Sequence, residues 1–340
     1  MRIAIVTDAW TPQVNGVVRT LQAVKAELEA RGHELLVIAP DRFTSVPCPT
    51  YPEIRLALAG SGAVGQLLVA FAPEAIHLAT EGPLCLAARR WCLSRRFPFT
   101  TAYHTQFPEY VAARTGIDPE WVWRYIRWFH APAEAVLAST SSVRRTLVDH
   151  GITRVRHWGR GVDLSYFCSP LTPHPALAHL PRPLLLYVGR VAIEKNVAAF
   201  LETAHPGTKI VVGDGPARPA LERTYCRAIF MGARFGSELA SIYAAADALV
   251  FPSRTDTFGL VMIEALACGT PIAAYPVTGP IDVLTPAVGA TDEDLGAAIA
   301  TALTRDRAAC AAHGASFTWP ASATQFLAAL APLPPERAVA

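Results

Sequence analysis

The 340-residue sequence predicts an α/β protein built from two doubly wound halves. Short apolar runs alternate with helical patterns along nearly the whole chain, which is typical of parallel sheets covered by helices. The pattern restarts at LLLYVG, residues 184–189. The chain also exceeds the size at which a single hydrophobic core is usual, so two domains are expected.

The first half contains five apolar runs that read as buried strands. They are IAIVTD, ELLVIAP, AIHLAT, FTTAYH and AVLAST. The helical periodicity between and after them predicts helices over 16–31, 64–71, 83–95, 120–130 and 141–150.

The second half repeats this organisation after a proline-rich segment. CSPLTPHPALAHLPRP, residues 168–183, holds five prolines in sixteen residues and predicts an interdomain linker. The strands predicted after it are LLLYVG, KIVVG, AIFMG, ALVF and PIAAY. We therefore expect domains over 1–167 and 184–315, with the cleft between them as the natural ligand site.

Composition and charge restrict the class of protein. A net charge of +2 is too small to indicate a nucleic-acid partner. The seven cysteines are dispersed without a CxxC pair, which is typical of reduced thiols in a cytosolic protein. MRIAIVTDAW is too short an apolar run for a signal peptide, and no segment approaches the length of a membrane span. These features predict a cytoplasmic location.

Nucleotide-binding fingerprints with glycine-rich loops are missing from the sequence. The first strand is followed by DAWTPQVNGVVRT, whose only glycine is Gly16, where G-x-G-x-x-G needs three. No G-x-x-x-x-G-K-[ST] occurs either. A nicotinamide dehydrogenase and a P-loop NTPase are therefore both disfavoured.

The stretch FPSRTDTFGLVMIEALACGTP, residues 251–271, places two carboxylates in apolar surroundings. A buried strand, a polar loop and a helix over 260–268 are expected there, with Gly269 closing the helix. A loop between a strand and a helix N-terminus presents unpaired N–H groups to an anion. Asp256 lies in this loop and Glu264 in the second turn of the helix.

Six motifs occur in order along the chain: NG at 15–16, HTQFPEY at 104–110, RGVD at 160–163, GRVAIEKN at 189–196, GDGP at 213–216 and DTFGLVMIEALACG at 256–269. Together they resemble the retaining nucleotide-sugar glycosyltransferases of family 4. The resemblance implies the GT-B fold, with two Rossmann-like domains facing a cleft. FTWPASATQFL at 317–327 is similar to the family's last helix, so 316–340 is expected to pack back on the first domain.

The resemblance implies roles for the two carboxylates. The family has two glutamates eight positions apart, and this chain has the shorter Asp256 followed by Glu264. The first carboxylate would hold a hydroxyl of the donor sugar and the second the ribose of the nucleotide. Carboxylates accept hydrogen bonds from vicinal hydroxyls, and a helix N-terminus suits a diphosphate.

Further site residues follow from the same resemblance. Arg190 and Lys195 would neutralise the leaving diphosphate, and Lys195 is one of only three lysines in the chain. His104 would lie beside the transferred sugar. The predicted catalytic residues are His104, Arg190, Lys195 and Asp256. The predicted donor-binding residues are Gly16, Gly213, Asp214, Met231, Phe258, Gly259, Leu260, Val261 and Glu264, and the predicted acceptor-binding residues are Asn15 and Glu81.

A D-x-D pattern in TDED, residues 291–294, resembles the metal-binding signature of another glycosyltransferase fold. It directly precedes the helical pattern LGAAIATAL, so Asp292 or Asp294 is expected to be a helix N-cap. We predict no catalytic metal and no cofactor besides the nucleotide-sugar co-substrate.

Two stretches rich in arginine and aromatic residues raise the question of an anionic membrane surface as a partner. For RRWCLSRRF at 89–97, an interfacial role and a structural role both stay open. In WVWRYIRWFH at 121–130 aromatic residues surround the helix, which favours burial.

The predicted function is transfer of a hexose to a glycolipid or glycan acceptor. TEGPL at 80–84, with HTQFPEY and SRTDTFG, looks like the branch of α-mannosyltransferases and sulfolipid-type synthases. GDP-mannose is the first donor expected, and UDP-hexose in a glycolipid glucosyltransferase is the second. Two further classes of protein share twin α/β lobes. One is a nucleotide-sugar epimerase or hydrolase, and the other is a periplasmic sugar-binding protein, which would require a signal peptide.

Overall fold

The computed structural model of the protein describes residues 1–13, 15–48, 51–106, 108, 111, 116 and 118–333. The chain divides into two compact units. One contains Met1–Gly159 and Trp319–Ala340, and the other Arg160–Thr318.

The first unit is a six-stranded parallel sheet with an added hairpin. The described strands of this unit are β1 (Arg2–Val6), β2 (Glu34–Ile38), β3 (Ser45–Cys48), β4 (Tyr51–Ala57), β5 (Ala75–Leu78), β6 (Thr100–Tyr103), β7 (Ala135–Ala138) and β8 (Val155–His157). The order in the sheet is β2-β1-β5-β6-β7-β8, and β3 pairs with β4 in antiparallel fashion. The helices described beside it are α1 (Gly16–Ala30), α2 (Ser61–Phe71), α3 (Pro83–Ser94), α4 (Pro119–His130) and α5 (Ser141–Asp149).

The core of the first unit includes a helix from the end of the chain. Helix α1 buries Leu21, Val24 and Leu28, spaced three and four apart, in one cluster with strand β1. The last described helix (Trp319–Ala329) adds Phe326 to the same cluster, which is also lined by Trp158. The carboxyl-terminal helix therefore completes the hydrophobic core of the first unit.

The second unit has the strand order of a doubly wound nucleotide-binding sheet. Its described strands are β9 (Leu184–Val188), β10 (Thr208–Val212), β11 (Ile229–Gly232), β12 (Ala248–Phe251), β13 (Ile272–Ala274) and β14 (Gly289–Thr291). The sheet order β11-β10-β9-β12-β13-β14 reverses direction between β9 and β12. Ligands bind at such a switch point, beyond the carboxyl ends of the strands.

Seven helices in the described part of the chain cover this second sheet. They are α6 (Val197–Glu202), α7 (Arg218–Thr224), α8 (Gly236–Ala245), α9 (Leu260–Ala267), α10 (Pro280–Val283), α11 (Leu295–Ala302) and α12 (Arg307–Ala315), so the helix Trp319–Ala329 of the first unit is α13. The prediction of two doubly wound α/β halves is confirmed. In the parallel sheets, strands β8 and β14 escaped prediction because each is three residues long and lacks an apolar run.

The proline-rich segment is not a linker, and the predicted boundaries at 167 and 183 are wrong. The second unit begins at Arg160, and Phe167 and Leu177 are buried in its core. Leu171 and Leu180 pack against the same cluster. Prolines exclude regular helix and central strand, but the leucines between them still carry apolar surface that folding buries.

Candidate functional site

The loops that follow β9 and β12 meet at the switch point of the second unit. Lys195 Nζ lies 2.5 Å from Asp256 Oδ1, and both side chains are half-buried. The two residues are 61 positions apart in sequence. They are neighbours because β9 pairs directly with β12. The structure thus brings together two predicted catalytic residues.

Two further side chains hold these loops in place. Asn196 adopts φ 53°, and its Nδ2 donates to the Pro252 carbonyl at 3.2 Å, which ties the β9 loop to the β12 loop. Buried Tyr187 donates its hydroxyl to the Arg190 carbonyl at 2.7 Å. Burial raises the pKa of Tyr187 and the charges of Asp256 and Glu194 raise it further, so the phenol stays a donor.

The glycines of the GDGP motif allow a close approach of two strand ends. Gly213 has φ 138°, and a Cβ there would overlap the carbonyl oxygen of Gly189. Only glycine suits this position. Asp214 is exposed and pairs with Arg218 at 3.3 Å. Gly213 and Asp214 follow β10, the neighbour of β9, and half-buried Met231 lies on β11, one strand further out. Their contact with the donor stays a prediction.

Helix α9 begins without a side-chain cap. Its N-cap residue Gly259 has φ 83°, and a Cβ there would lie 2.9 Å from the side chains of Met262 and Phe251. The first N–H groups of a helix have no partner within the helix. Phe258 is buried in the core, and Leu260 and Val261 are half-buried, so this segment presents backbone rather than side chains to an anion.

Glu264 is 2% exposed on the second turn of α9. Its Oε2 accepts a hydrogen bond from the Tyr243 hydroxyl at 3.1 Å. Glu264 is therefore not a solvent-exposed helix residue. Tyr243 was not recognised from sequence, because an aromatic residue in the helical pattern ELASIYAAA reads as ordinary core.

The TDED segment caps a helix. Asp294 Oδ1 accepts from the Gly296 N–H at 2.8 Å at the start of α11, and Asp292 Oδ1 accepts from the Asp294 N–H at 2.8 Å. The N-cap prediction is confirmed. Within the residues that the structure describes, no cluster of three or more His, Cys, Asp or Glu side chains is arranged to hold a metal ion.

Asn15 and Gly16 occupy the start of α1 in the first unit. The Asn15 side-chain oxygen accepts from the N–H groups of Val17 and Val18, both at 3.0 Å. This oxygen is the N-cap of the helix, so the structure does not support the predicted acceptor contact through it. Gly16 is the first residue of α1, and its predicted approach to phosphate stays a prediction.

The predicted acceptor contact of Glu81 stays a prediction, and its side chain is 6% exposed. Its Oε1 lies 3.4 Å from Nε2 of buried His130, and its carbonyl accepts from the Tyr125 hydroxyl. Although Glu81 stands near the end of a strand, its contacts lie in the interior of the first unit. Glu81 does not cap helix α3 either.

The cap of α3 is Asp8, which the sequence did not single out. Its Oδ1 accepts from the Leu84 N–H at 2.8 Å and its Oδ2 from the Cys85 N–H at 3.3 Å. Thr80 also donates to Oδ2, at 2.9 Å. Burial raises the pKa of Asp8, while these donors lower it. The only signal in the sequence was an aspartate just beyond the first strand.

His104 directly follows β6, where ligand residues collect in open α/β sheets. Its ring lies 5.3 Å from that of Trp158 in an edge-on arrangement. In the same motif, residues 107, 109 and 110 lie outside the described part of the chain. The assignment of His104 to the sugar site stays a prediction.

The two arginine- and tryptophan-rich stretches each have one buried and one exposed part. Arg89 is buried and donates to the carbonyls of Trp128 and Phe129, at 2.7 and 2.9 Å. In α4 only Trp123 of the three tryptophans is buried, whereas Trp121 is 64% and Trp128 49% exposed. The predicted burial of this helix on all sides is therefore wrong, because the packing of the unit covers only part of its circumference.

Comparison with known proteins identifies the family. The family model described as Glycosyltransferase Family 4 matches residues 14–166, and the one described as Glycosyl transferases group 1 matches residues 182–305. A GDP-mannose-dependent alpha-mannosyltransferase of Mycobacterium tuberculosis is 33% identical over 311 residues, which cover 84% of this chain and 82% of that protein. A sulfoquinovosyl transferase of Arabidopsis thaliana is 29% identical over 300 residues, covering 80% of this chain and 58% of that protein.

A solved structure confirms the fold. Sucrose-phosphate synthase from Thermosynechococcus elongatus superposes with a TM-score of 0.77 at 21% identity, covering 96% of this chain and 97% of that one. Each half of this chain has the doubly wound sheet of the two-domain GT-B architecture. The chain belongs to the family 4 glycosyltransferases, in the branch of α-mannosyltransferases and sulfolipid-type glycolipid synthases.

Proposed function

We propose that this glycosyltransferase moves mannose from GDP-mannose, with retention of configuration, to a lipid or glycan acceptor, without a metal or cofactor. The name of the mycobacterial relative supports the choice of donor. The observation that carries the proposal is the Lys195–Asp256 pair at the switch point of the second unit. It puts a cation for the diphosphate beside a carboxylate for the sugar.

The Asp256 carboxylate has an acceptor left for a sugar hydroxyl. Its Oδ1 is held by Lys195, while Oδ2 is buried and has no hydrogen-bond partner among the described residues. A buried acceptor without a donor costs free energy, and a bound hydroxyl would remove that cost. The ion pair orients the carboxylate before the donor arrives.

Lys195 can serve the diphosphate without leaving Asp256. An ammonium group has three N–H donors, and the contact with Asp256 Oδ1 uses one of them. Arg190, half-buried on the same loop, and the N-terminus of α9 supply further positive potential. Fixed donors aimed at the diphosphate lower the activation barrier of transfer, because its negative charge develops as the bond to the sugar breaks. In this proposal they do the work that a divalent cation does in other transferases.

The donor proposal is tested by ligand binding in EDTA. A nucleotide at about 100 times its Kd stabilises the protein by about 2.7 kcal/mol, equivalent to a Tm shift of roughly 4–8 °C, depending on whether the whole chain or the second unit unfolds. We expect that shift with GDP and smaller shifts with UDP and ADP. Transfer from GDP-mannose should also be unchanged by EDTA.

Other results of these binding and transfer experiments would each indicate a different activity. Stabilisation by UDP alone would favour a UDP-hexose-dependent glucosyltransferase. Release of free mannose without an acceptor, or conversion to another nucleotide sugar, would indicate a hydrolase or an epimerase. Loss of transfer in EDTA, restored by manganese or magnesium, would make the enzyme metal-dependent.

We further propose that the first unit contacts an anionic membrane surface at the cytoplasmic face. Across the described ranges, no helix is long and apolar enough to cross a membrane. Trp121, Arg124 and Trp128 are exposed at positions i, i+3 and i+7 of α4 and so share one face. Exposed arginines also lie on and just after α3: Arg90, Arg95 and Arg96. Tryptophan and arginine on one helix face suit the interface of an anionic bilayer.

Vesicle flotation tests this membrane contact. Each arginine near an anionic surface contributes about 1 kcal/mol, so changing Arg90, Arg95 and Arg96 to serine should weaken binding by about two orders of magnitude. Binding should need phosphatidylglycerol and fall with salt. The matched control changes Arg144 and Arg145 of α5, which are exposed on another helix of the same unit, and should leave flotation intact. Equal flotation of the triple variant and the wild type would exclude the arginine contact.

A further inference from the structure

We infer that Tyr243 is a positioning residue for nucleotide binding, which it supports by holding the Glu264 carboxylate toward the ribose of the donor. The inference rests on the proposed function, in which Glu264 accepts hydrogen bonds from the ribose. Tyr243 lies on a different helix from Glu264, and in this role it contacts the carboxylate rather than the nucleotide.

Tyr243 is anchored through both its side chain and its backbone. It is fully buried on α8, and its hydroxyl donates to Glu264 Oε2 at 3.1 Å. Its backbone carbonyl accepts from the Thr270 hydroxyl at 2.6 Å. Thr270 lies three residues beyond the end of α9, the helix that carries Glu264. Tyr243 is therefore joined to the middle of α9 and to the segment that follows it.

The surroundings of Glu264 explain why the carboxylate needs this donor. Its neighbours Ile263, Ala265 and Leu266 on α9 are all buried in the hydrophobic core. An ionised carboxylate in such surroundings is costly unless donors stabilise it. A tyrosine hydroxyl supplies one donor and directs it at a single oxygen, so the carboxylate keeps a defined orientation. A carboxylate offers about four lone-pair sites, so it can accept from the tyrosine hydroxyl and from a ribose hydroxyl at the same time.

The chemistry of this contact predicts a selective defect. Phenylalanine in place of Tyr243 keeps the ring that packs edge-on against Phe167, with ring centroids 6.0 Å apart, and removes only the hydroxyl. The core then stays filled while the carboxylate loses its directed donor. The affinity for ligands that contain a ribose should therefore fall, whereas the affinity for a ligand consisting of the diphosphate alone should not change.

The test is calorimetry on four variants with two ligands, GDP and inorganic pyrophosphate. We expect Tyr243→Phe to weaken GDP binding about ten- to twentyfold, the lower part of the range for a hydrogen bond to a charged group, and to change pyrophosphate binding by less than about twofold. The matched control is Tyr225→Phe, which removes another tyrosine–glutamate hydrogen bond of the same unit, from Tyr225 to Glu202 Oε1 at 2.5 Å. This control should bind both ligands like the wild type.

A double-mutant cycle separates positioning from general damage. If Tyr243 acts through Glu264, then adding Tyr243→Phe to Glu264→Gln should change GDP affinity by less than about twofold. Equal weakening of GDP and pyrophosphate by Tyr243→Phe would overturn the inference, because it would show a distorted site. If Tyr243→Phe binds GDP like the wild type while Glu264→Gln binds GDP more weakly, the inference is overturned and the proposed function is not. Wild-type affinity in both variants would instead overturn the ribose contact of Glu264 in the proposed function.

Discussion

Replacing Lys195 with alanine is expected to lower kcat by about 100-fold or more, the loss typical for removal of one charged donor from a transition-state site. Donor binding should weaken much less. The negative charge on the diphosphate is greatest when the bond to the sugar breaks, so the ammonium stabilises the transition state more than the bound donor. Initial rates at saturating donor, together with calorimetry of the nucleoside diphosphate, separate the two effects. Arg190→Ala should change both quantities in the same direction.

The structure offers a matched control for this variant. Lys25 also pairs with a carboxylate, that of Glu29 at 2.6 Å, but on an outer face of α1 in the first unit. Lys25→Ala should turn over like the wild type, since a surface pair of this kind contributes about 0.2–1 kcal/mol to stability. Near-normal turnover of a folded Lys195→Ala enzyme would remove Lys195 from the catalytic machinery.

Substitutions of Asp256 and of Glu264 should impair different properties of the enzyme. Asp256→Asn is expected to reduce transfer about ten- to a hundredfold, because it exchanges an acceptor oxygen for a donor amide where the sugar hydroxyl binds. Affinity for the free nucleoside diphosphate should be preserved. The amide oxygen that remains can still accept from the Lys195 ammonium, which keeps its positive charge for the diphosphate. Retained binding with impaired transfer is therefore the signature of Asp256.

Glu264→Gln should instead weaken the free nucleoside diphosphate itself, by about ten- to a hundredfold. This ligand carries no sugar, so its loss of affinity reports the ribose contact alone. Calorimetry with GDP compares the two variants without knowledge of the acceptor. If Asp256→Asn weakens GDP as much as Glu264→Gln does, the division of roles is wrong, and Asp256 is better described as a residue that shapes the β12 loop.

The predicted acceptor residues show why polar side chains at element ends are hard to interpret from sequence. Asn15 and Glu81 stand where ligand residues collect, and each was predicted to contact the acceptor. In the structure Asn15 caps a helix and Glu81 faces buried His130. A cap and a ligand contact use the same residue types at the same positions. Only the direction of the side chain distinguishes them, and that direction depends on packing.

The exposure of helix α4 likewise depends on which elements pack against it. Its sequence has aromatic residues on several faces, and periodicity does not show which face another element covers. Arg89 from α3 supplies part of the answer, since its guanidinium carbon lies 4.0 Å from the Trp128 ring while it donates to backbone carbonyls of α4. The remaining face, with Trp121 and Arg124, stays exposed.

The sequence by itself determined the class of fold, the positions of the long apolar strands and the identity of Lys195, Asp256 and Glu264 as candidate site residues. The fold class and the strands depend on local patterns, in which apolar runs and glycine positions act within a few residues, whereas the roles of the three site residues follow from motifs that resemble those of the family. Only the tertiary structure decided that Lys195 and Asp256 form a pair, that Glu264 is buried under the Tyr243 hydroxyl, and that residues 168–183 belong to the second core. Each of these depends on contacts between segments distant in sequence. Such contacts are set by the order of strands in a sheet and by the packing of helices across it, which no local pattern specifies.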